Sequence, residues 1–194
     1  ALLCIGFFLS TACFSAFSGN AQIANPFQSY VRYQAPEFLT YEELKTLAVN
    51  PDPVGALRLK LQRFFQTPIV SNEAWYRGVR PRTFRHPKLG STLTVATWNI
   101  EKSLQVDRVI NLLISEAAFD AMIDRKKCPQ GSSLDKYIHL QRKKLLQADV
   151  ILLQEMEIGL KRSKFLDAAK EIAAALDMNY VYAPQYLEVD PVTL

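Results

Sequence analysis

Two short apolar runs, Leu93 to Trp98 and Asp149 to Leu153, constrain what this chain can fold into more than any other feature. Each is β-prone and almost uniformly apolar, the pattern of a strand covered on both faces. The residues between them carry helical periodicity, so the two runs read as neighbouring strands joined by a helical crossover. Each run opens into oxygen-bearing side chains, Asn99 and Glu101 after the first and Gln154 and Glu155 after the second. An α/β fold places its chemistry in the crevice at the carboxyl ends of its strands.

The rest of the chain extends this pattern. Val106 to Ile123 reads as one helix through Val109, Ile110, Leu113, Ile114, Ala117 and Met122. Cys128 to Ser133 reads as a loop, and Leu134 to Gln147 as another helix. Lys164 to Leu176 predicts a further helix and Tyr180 to Tyr182 a third strand, which gives an α/β layered class. Upstream, Thr40 with Glu43 makes a capping box, predicting a helix from Thr40 to Val49 that Pro51 and Pro53 break. Val54, Leu57, Leu61, Phe64 and Phe65 predict a second helix, ended by Pro68. Asn25 to Pro36 reads as an arm, and Trp75 to Pro87 as an irregular basic connection. Residues 22–90 are therefore expected to form an N-terminal extension and residues 91–194 the α/β domain.

Residues 1–21 read differently. Ala1 to Phe17 carries no charge, and Ser18 to Ala21 supplies the small and polar residues of a cleavage site. This is the pattern of a signal peptide, with export to the periplasm or beyond as its consequence. A retained membrane anchor and a lipoprotein modified at Cys13 are the alternatives. Ser10, Thr11 and Ala12 make a poor lipobox, and a membrane contact follows only if the segment is kept. Cys4 and Cys13 lie in this segment, which leaves Cys128 alone in the mature chain and excludes an internal disulfide framework.

At 194 residues, 49% hydrophobic and 22% charged, the chain has globular composition, and no repeat or low-complexity tract divides it. Its net charge of +4 comes with basic clusters at Arg77, Arg80, Arg82, Arg85, His86 and Lys88 and at Arg142, Lys143 and Lys144. Such a balance suits a phosphorylated or polyanionic partner, nucleic acid included, and equally suits solvated surface. No stable protein partner is implied.

Hard divalent cations take oxygen ligands, typically one or two carboxylates with waters and substrate phosphates. Glu155, with Asn99 and Glu101 on the neighbouring strand end, offers that chemistry. The segments Thr97-Trp98-Asn99-Ile100-Glu101 and Asp149-Val150-Ile151-Leu152-Leu153-Gln154-Glu155 resemble the opening motifs of the endonuclease/exonuclease/phosphatase superfamily, the DNase I-like proteins, over roughly residues 92–190. The continuation through Glu157, Gly159, Lys161 and Arg162 and then Met178 to Tyr182 looks like the bacterial hydrolases of this group.

That resemblance implies the N-terminal half of a four-layered α/β sandwich and a phosphodiester-cleaving hydrolase. It implies Mg²⁺ or Mn²⁺ held by Glu155, with Glu101 as a second metal contact or support. It assigns Asn99 an amide that binds a phosphate oxygen or a neighbouring catalytic group. Lys161 and Arg162 follow the metal strand, where they either meet a substrate phosphate or line an exposed loop with Ser163 as a helix cap. Glu157 is either an acid supporting the metal ligands or, as favoured, an exposed residue, and Trp98 is expected to belong to the core.

Two departures qualify the match. The Asn99 and Glu155 motifs are further apart than in compact members, the excess lying around Cys128 to Gln147. The family's later Asp-x-Asn and Asp-His segments, which complete the site and supply the general base, are expected beyond Leu194. The chain thus reads as a fragment, inactive alone. His86 and His139 read as surface or capping residues rather than as substitutes. Within the same class the substrate is nucleic acid, a phospholipid or a small phosphodiester, and a non-catalytic anion-binding α/β module is the competing reading.

Overall fold

The computed structural model describes residues 31–80, 84–86 and 90–189. The segment read as a signal peptide, residues 1–21, and Arg82 and Lys88 lie outside the described residues. No described helix is long and apolar enough to cross a membrane. Helices and small sheets alternate in an α/β arrangement, and the chain divides into two compact units, residues 31–80 with 157–189 and residues 84–156.

The first unit begins with β1 (Tyr33–Gln34), α1 (Tyr41–Val49) and α2 (Gly55–Gln66). The capping box forms as the sequence predicts: the Thr40 hydroxyl accepts from the Glu43 N–H at 3.2 Å and the Glu43 carboxylate accepts from the Thr40 N–H at 2.7 Å. That same Glu43 takes the buried ammonium of Lys60 at 2.8 Å, so one side chain both starts α1 and ties α2 to it. Leu47 and Phe64 supply apolar core, with Phe38 edge-on to Phe64. After α2 come β2 (Ile69–Ser71) and the short α3 (Glu73–Tyr76), both within segments that carry too few residues to show a period.

β2 is the centre of a three-stranded antiparallel sheet, with β1 on one side and β7 (Tyr180–Tyr182) on the other. The register sets Ile69 opposite Tyr182 and Ser71 opposite both Tyr33 and Tyr180. The predicted third strand is therefore present, but it pairs with residues upstream of the expected α/β domain. Asn179 accepts from the Trp75 N–H at 3.1 Å, and Arg77 pairs with Asp177, which fastens this end of the sheet.

Preceding β7, α7 (Ala168–Ala175) buries Ala168, Ala169, Ile172 and Ala173. It starts later than the periodicity suggests. Lys164 and Phe165 have φ of 58° and 57°, left-handed values that interrupt any helix. Asp167 is the cap, accepting from the Lys170 N–H at 3.0 Å. Ser163 is not: its hydroxyl donates to the Leu160 carbonyl at 3.0 Å, closing a single 3₁₀ turn over Lys161–Ser163.

The second unit opens on a hairpin of β3 (Phe84–His86) and β4 (Gly90–Thr92) and continues into β5 (Val95–Asn99). β5 pairs in parallel with β6 (Val150–Gln154), in a register running from Val95 opposite Val150 to Asn99 opposite Gln154. At the start of the pair, the Asp149 N–H donates to the Thr94 carbonyl at 2.8 Å and the Asp149 carboxylate accepts from the Thr94 N–H at 2.8 Å. Coverage of both sheet faces, expected from the apolar runs, is not what the described residues show. Ala96 is 2% exposed, whereas Leu152, on the opposite face, is 52% exposed.

The crossover holds α4 (Val106–Ile114), α5 (Glu116–Met122) and α6 (Ser133–Leu146). The single helix predicted over 106–123 is two helices because Ser115 is extended, at φ −131° and ψ 118°. Its hydroxyl accepts from the Ala118 N–H and so begins α5. α4 buries Val106, Val109, Leu112 and Leu113, and α6 closes on it through Arg142, whose Nε donates to the Leu112 carbonyl at 2.6 Å. That carbonyl is one of those a helix C-terminus leaves unpaired.

α5 and α6 are joined by charge. Asp135, 7% exposed, accepts from the Gly131 N–H at 2.8 Å and from Arg125 at 2.6 Å. These two donors hold its carboxyl below the usual carboxylate range. His139 sets Nδ1 2.8 Å from the Asp135 carbonyl and Nε2 2.8 Å from the Asp120 carboxylate. Both ring nitrogens thus face acceptors, a setting that only the imidazolium satisfies completely. The Asp135 carbonyl, followed by Asp120, pushes the His139 pKa up.

Candidate functional site

The parallel pairing of β5 and β6 delivers their exits side by side, and the Ile100 N–H extends the ladder to the Gln154 carbonyl at 3.2 Å. Beyond that point both chains leave extended geometry at once. Glu101, Lys102 and Ser103 have φ of 53°, 52° and 54°, and Glu155 has φ of 56°. Left-handed conformation outside Gly, Asn and Asp is uncommon, and each such residue costs on the order of 1 kcal/mol or more. The turn is closed by the Leu104 N–H on the Glu101 carbonyl at 3.2 Å.

Asn99 and Glu155, assigned to one site from the sequence, meet directly. The Asn99 Nδ2 donates to Glu155 Oε1 at 2.8 Å, while Asn99 Oδ1 accepts from the Glu101 N–H at 2.8 Å. The other carboxylate oxygen, Oε2, accepts from the Lys102 N–H at 3.1 Å. Ser103, 2% exposed, turns its hydroxyl to the Glu155 backbone carbonyl at 3.3 Å. The Glu155 side chain is exposed, and its two named donors are an amide and a backbone N–H, neither of them a cation.

Glu101 sits on the same turn, exposed, and its contribution to the network is its backbone N–H. Neither the Lys102 N–H nor Ser103 was legible as a site group. A left-handed turn written as Glu-Lys-Ser carries none of the Gly or Asn that normally marks one. Gln154 stays on the sheet, its Nε2 donating to the Thr97 hydroxyl at 2.7 Å. Trp98 is half-buried on the opposite face.

Lys161 and Arg162 belong to the other compact unit. Lys161 is exposed at the start of the 3₁₀ turn. The Arg162 guanidinium is gripped by two carboxylates, with Nε 2.8 Å from Glu157 and Nη1 3.0 Å from Glu188. Those carboxylates, Glu157 foremost, push its pKa further above an already high ordinary value. Glu157 was expected at the surface and is instead 4% exposed. Burial of that charge is tolerable because Arg162 lies against both of its oxygens.

The donor chemistry at Glu155 fits a hard divalent cation. Each carboxylate oxygen has one named donor, which leaves further acceptor capacity for a metal. Among the described residues no three His, Cys, Asp or Glu side chains gather as a closed metal cage. Mg²⁺ does not require one, since it commonly keeps several waters and uses one or two carboxylates with substrate phosphates. No protein-family model, curated protein or solved structure matches this chain.

Proposed function

We propose that the strand ends form the first part of a metal-dependent phosphoesterase site of the DNase I-like type, acting on phosphodiester bonds with nucleic acid as the leading substrate. The observation that carries this reading is the Asn99 amide on the Glu155 carboxylate, at the level exits of two parallel strands. In it, Glu155 holds Mg²⁺ or Mn²⁺, with Glu101 close enough in sequence to assist. A divalent ion so held supplies Lewis-acid polarisation of a phosphoryl oxygen.

The chain's own residues do the positioning. Asn99 fixes one carboxylate oxygen through one amide hydrogen, and its second amide hydrogen is available to a phosphate oxygen. The Lys102 N–H meets the other oxygen, so both carboxylate oxygens are oriented by this turn and strand end. Orientation of this kind raises the effective concentration of reacting groups. Arg162 is committed to Glu157 and Glu188 and is left out of this reading. The general base and further metal ligands are assigned to later Asp-x-Asn and Asp-His segments of a longer protein, and residues 1–21 to its export.

The test is a panel of plasmid DNA, RNA, sphingomyelin and a small phosphodiester, assayed with Mg²⁺ on the full-length protein. Cleavage of at least one substrate is expected, and Glu155→Ala should lower kcat/KM by roughly a hundredfold or more. Cleavage that persists in EDTA, or that survives Glu155→Ala, would overturn the proposal. Residues 1–194 alone should cleave no faster than their Glu155→Ala variant; faster cleavage would remove the need for later segments.

A further inference from the structure

We infer that the left-handed turn Glu101 to Ser103, keyed by the buried Ser103 hydroxyl, is a positioning device that aims the Glu155 carboxylate. The inference deepens the phosphoesterase reading and rests on it for the purpose the aim serves. Three contacts converge on one residue from the turn and the strand that feeds it. Asn99 Nδ2 holds Oε1 at 2.8 Å, the Lys102 N–H holds Oε2 at 3.1 Å, and Ser103 Oγ reaches the main-chain carbonyl at 3.3 Å. Side chain and backbone of Glu155 are therefore set by the same few residues.

The backbone values explain why both must be set. At φ 56°, Glu155 is in a conformation that an L-residue with a long side chain leaves readily for extended or right-handed geometry. Leaving it would swing the carboxylate away from Asn99 and Lys102. A hydroxyl on the Glu155 carbonyl opposes that swing at its pivot. The turn supplying the hydroxyl is itself left-handed at three successive residues, none of them Gly, Asn or Asp. Such a run persists only where surroundings over-determine it. Here those surroundings include the Asn99 side chain on the Glu101 N–H, the Leu104 N–H on the Glu101 carbonyl, and Ser103, which is 2% exposed. Two strained segments hold each other.

Ser103 acts through Glu155, so its test needs a readout that stability alone does not move. Ser103→Ala removes the hydroxyl. Ser103→Gly removes it too but relieves the left-handed strain, so a purely structural role predicts that Gly behaves as well as or better than wild type. The measurement is the side-chain carboxyl ¹³C resonance of Glu155, assigned by its loss in Glu155→Gln, and its broadening by Mn²⁺. In both variants the resonance is expected to move toward that of unrestrained glutamate. The Mn²⁺ concentration needed for half-broadening should rise roughly ten- to a hundredfold, the usual cost of losing a group that orients a metal ligand.

An unchanged resonance and unchanged Mn²⁺ dependence in both variants overturn the proposal, as does loss in Ser103→Ala that Ser103→Gly restores. Should neither variant fold, the hydroxyl proton of Ser103 in the wild-type chain decides. Exchange with solvent at the rate of free serine refutes the contact, and a scalar coupling from the hydroxyl proton to the Glu155 carbonyl carbon supports it. If Mn²⁺ leaves the wild-type Glu155 resonance untouched while both variants release the carboxylate, positioning stands and the phosphoesterase reading falls.

Discussion

Glu155 and Glu157 are two residues apart and live by opposite rules. Glu155 is exposed and is held by an amide and a backbone N–H. Glu157 is 4% exposed and lies against the guanidinium of Arg162, which also takes Glu188. A carboxylate oriented by neutral donors keeps its full charge for something outside the protein. One that is itself buried against a half-buried guanidinium has spent that charge on the fold. The difference separates a carboxylate left open to solvent from one committed to the fold, and the residue type alone does not.

The largest effect that contrast implies is on stability. Arg162→Met should take this cation from the buried Glu157 while Glu188 stays nearby, and cost about 3 kcal/mol, read as a lower urea midpoint. A loss under about 1 kcal/mol would place Glu157 with the surface pairs and erase the contrast. Next in size is a gain. Lys102→Gly keeps the N–H that meets Glu155 while removing left-handed strain, and should raise stability by about 1 kcal/mol. A destabilised Lys102→Gly variant would mean that the Lys side chain, rather than the backbone, supports the turn. At Glu155, the isosteric Glu155→Gln change should cost no more than about 1 kcal/mol, since Gln keeps one of the two acceptor oxygens and no buried charge depends on it. Thermal denaturation of that variant beside Glu157→Gln gives the sharpest comparison of the two positions.

A shallower effect belongs to His139, because both it and Asp120 reach solvent. Its pKa is raised in the folded state, so its contribution is complete below the ordinary value of about 6.5 and is lost as pH rises through the folded-state pKa. The thermal midpoint should therefore decline as pH rises above about 6.5, and His139→Gln should flatten that decline. A histidine NMR titration with a midpoint at or below the ordinary value would contradict the two-acceptor arrangement.

The parts of the fold legible in the sequence are those whose signal is local. The Thr40 and Glu43 capping box, the apolar stripe of α2 and the paired strand runs each state their structure within a dozen residues. β1, β2 and β7 are two or three residues long, and pairing with one another is what makes them strands. That information is spread over residues 33 to 182. The break at Ser115 was hidden because apolar spacing continues across it, and the late start of α7 because Lys164 and Phe165 fit the helical period while adopting left-handed φ. In the site, Asn99 and Glu155 were legible as chemistry at strand ends. The Lys102 N–H was not, since a backbone donor has no letter, and Ser103 looked like any serine after a strand.

The level register of β5 and β6 has a consequence for how freely this chain can be altered. The β5–β6 hydrogen bonds fix where both strands end, whatever lies between residues 105 and 148. Helices in that interval can therefore lengthen, shorten or accept an inserted peptide without displacing Asn99 from Glu155. The exposed loop at Gly131, with open space around its Cα, is a natural place to graft a tag or a reporter and leave the strand ends undisturbed.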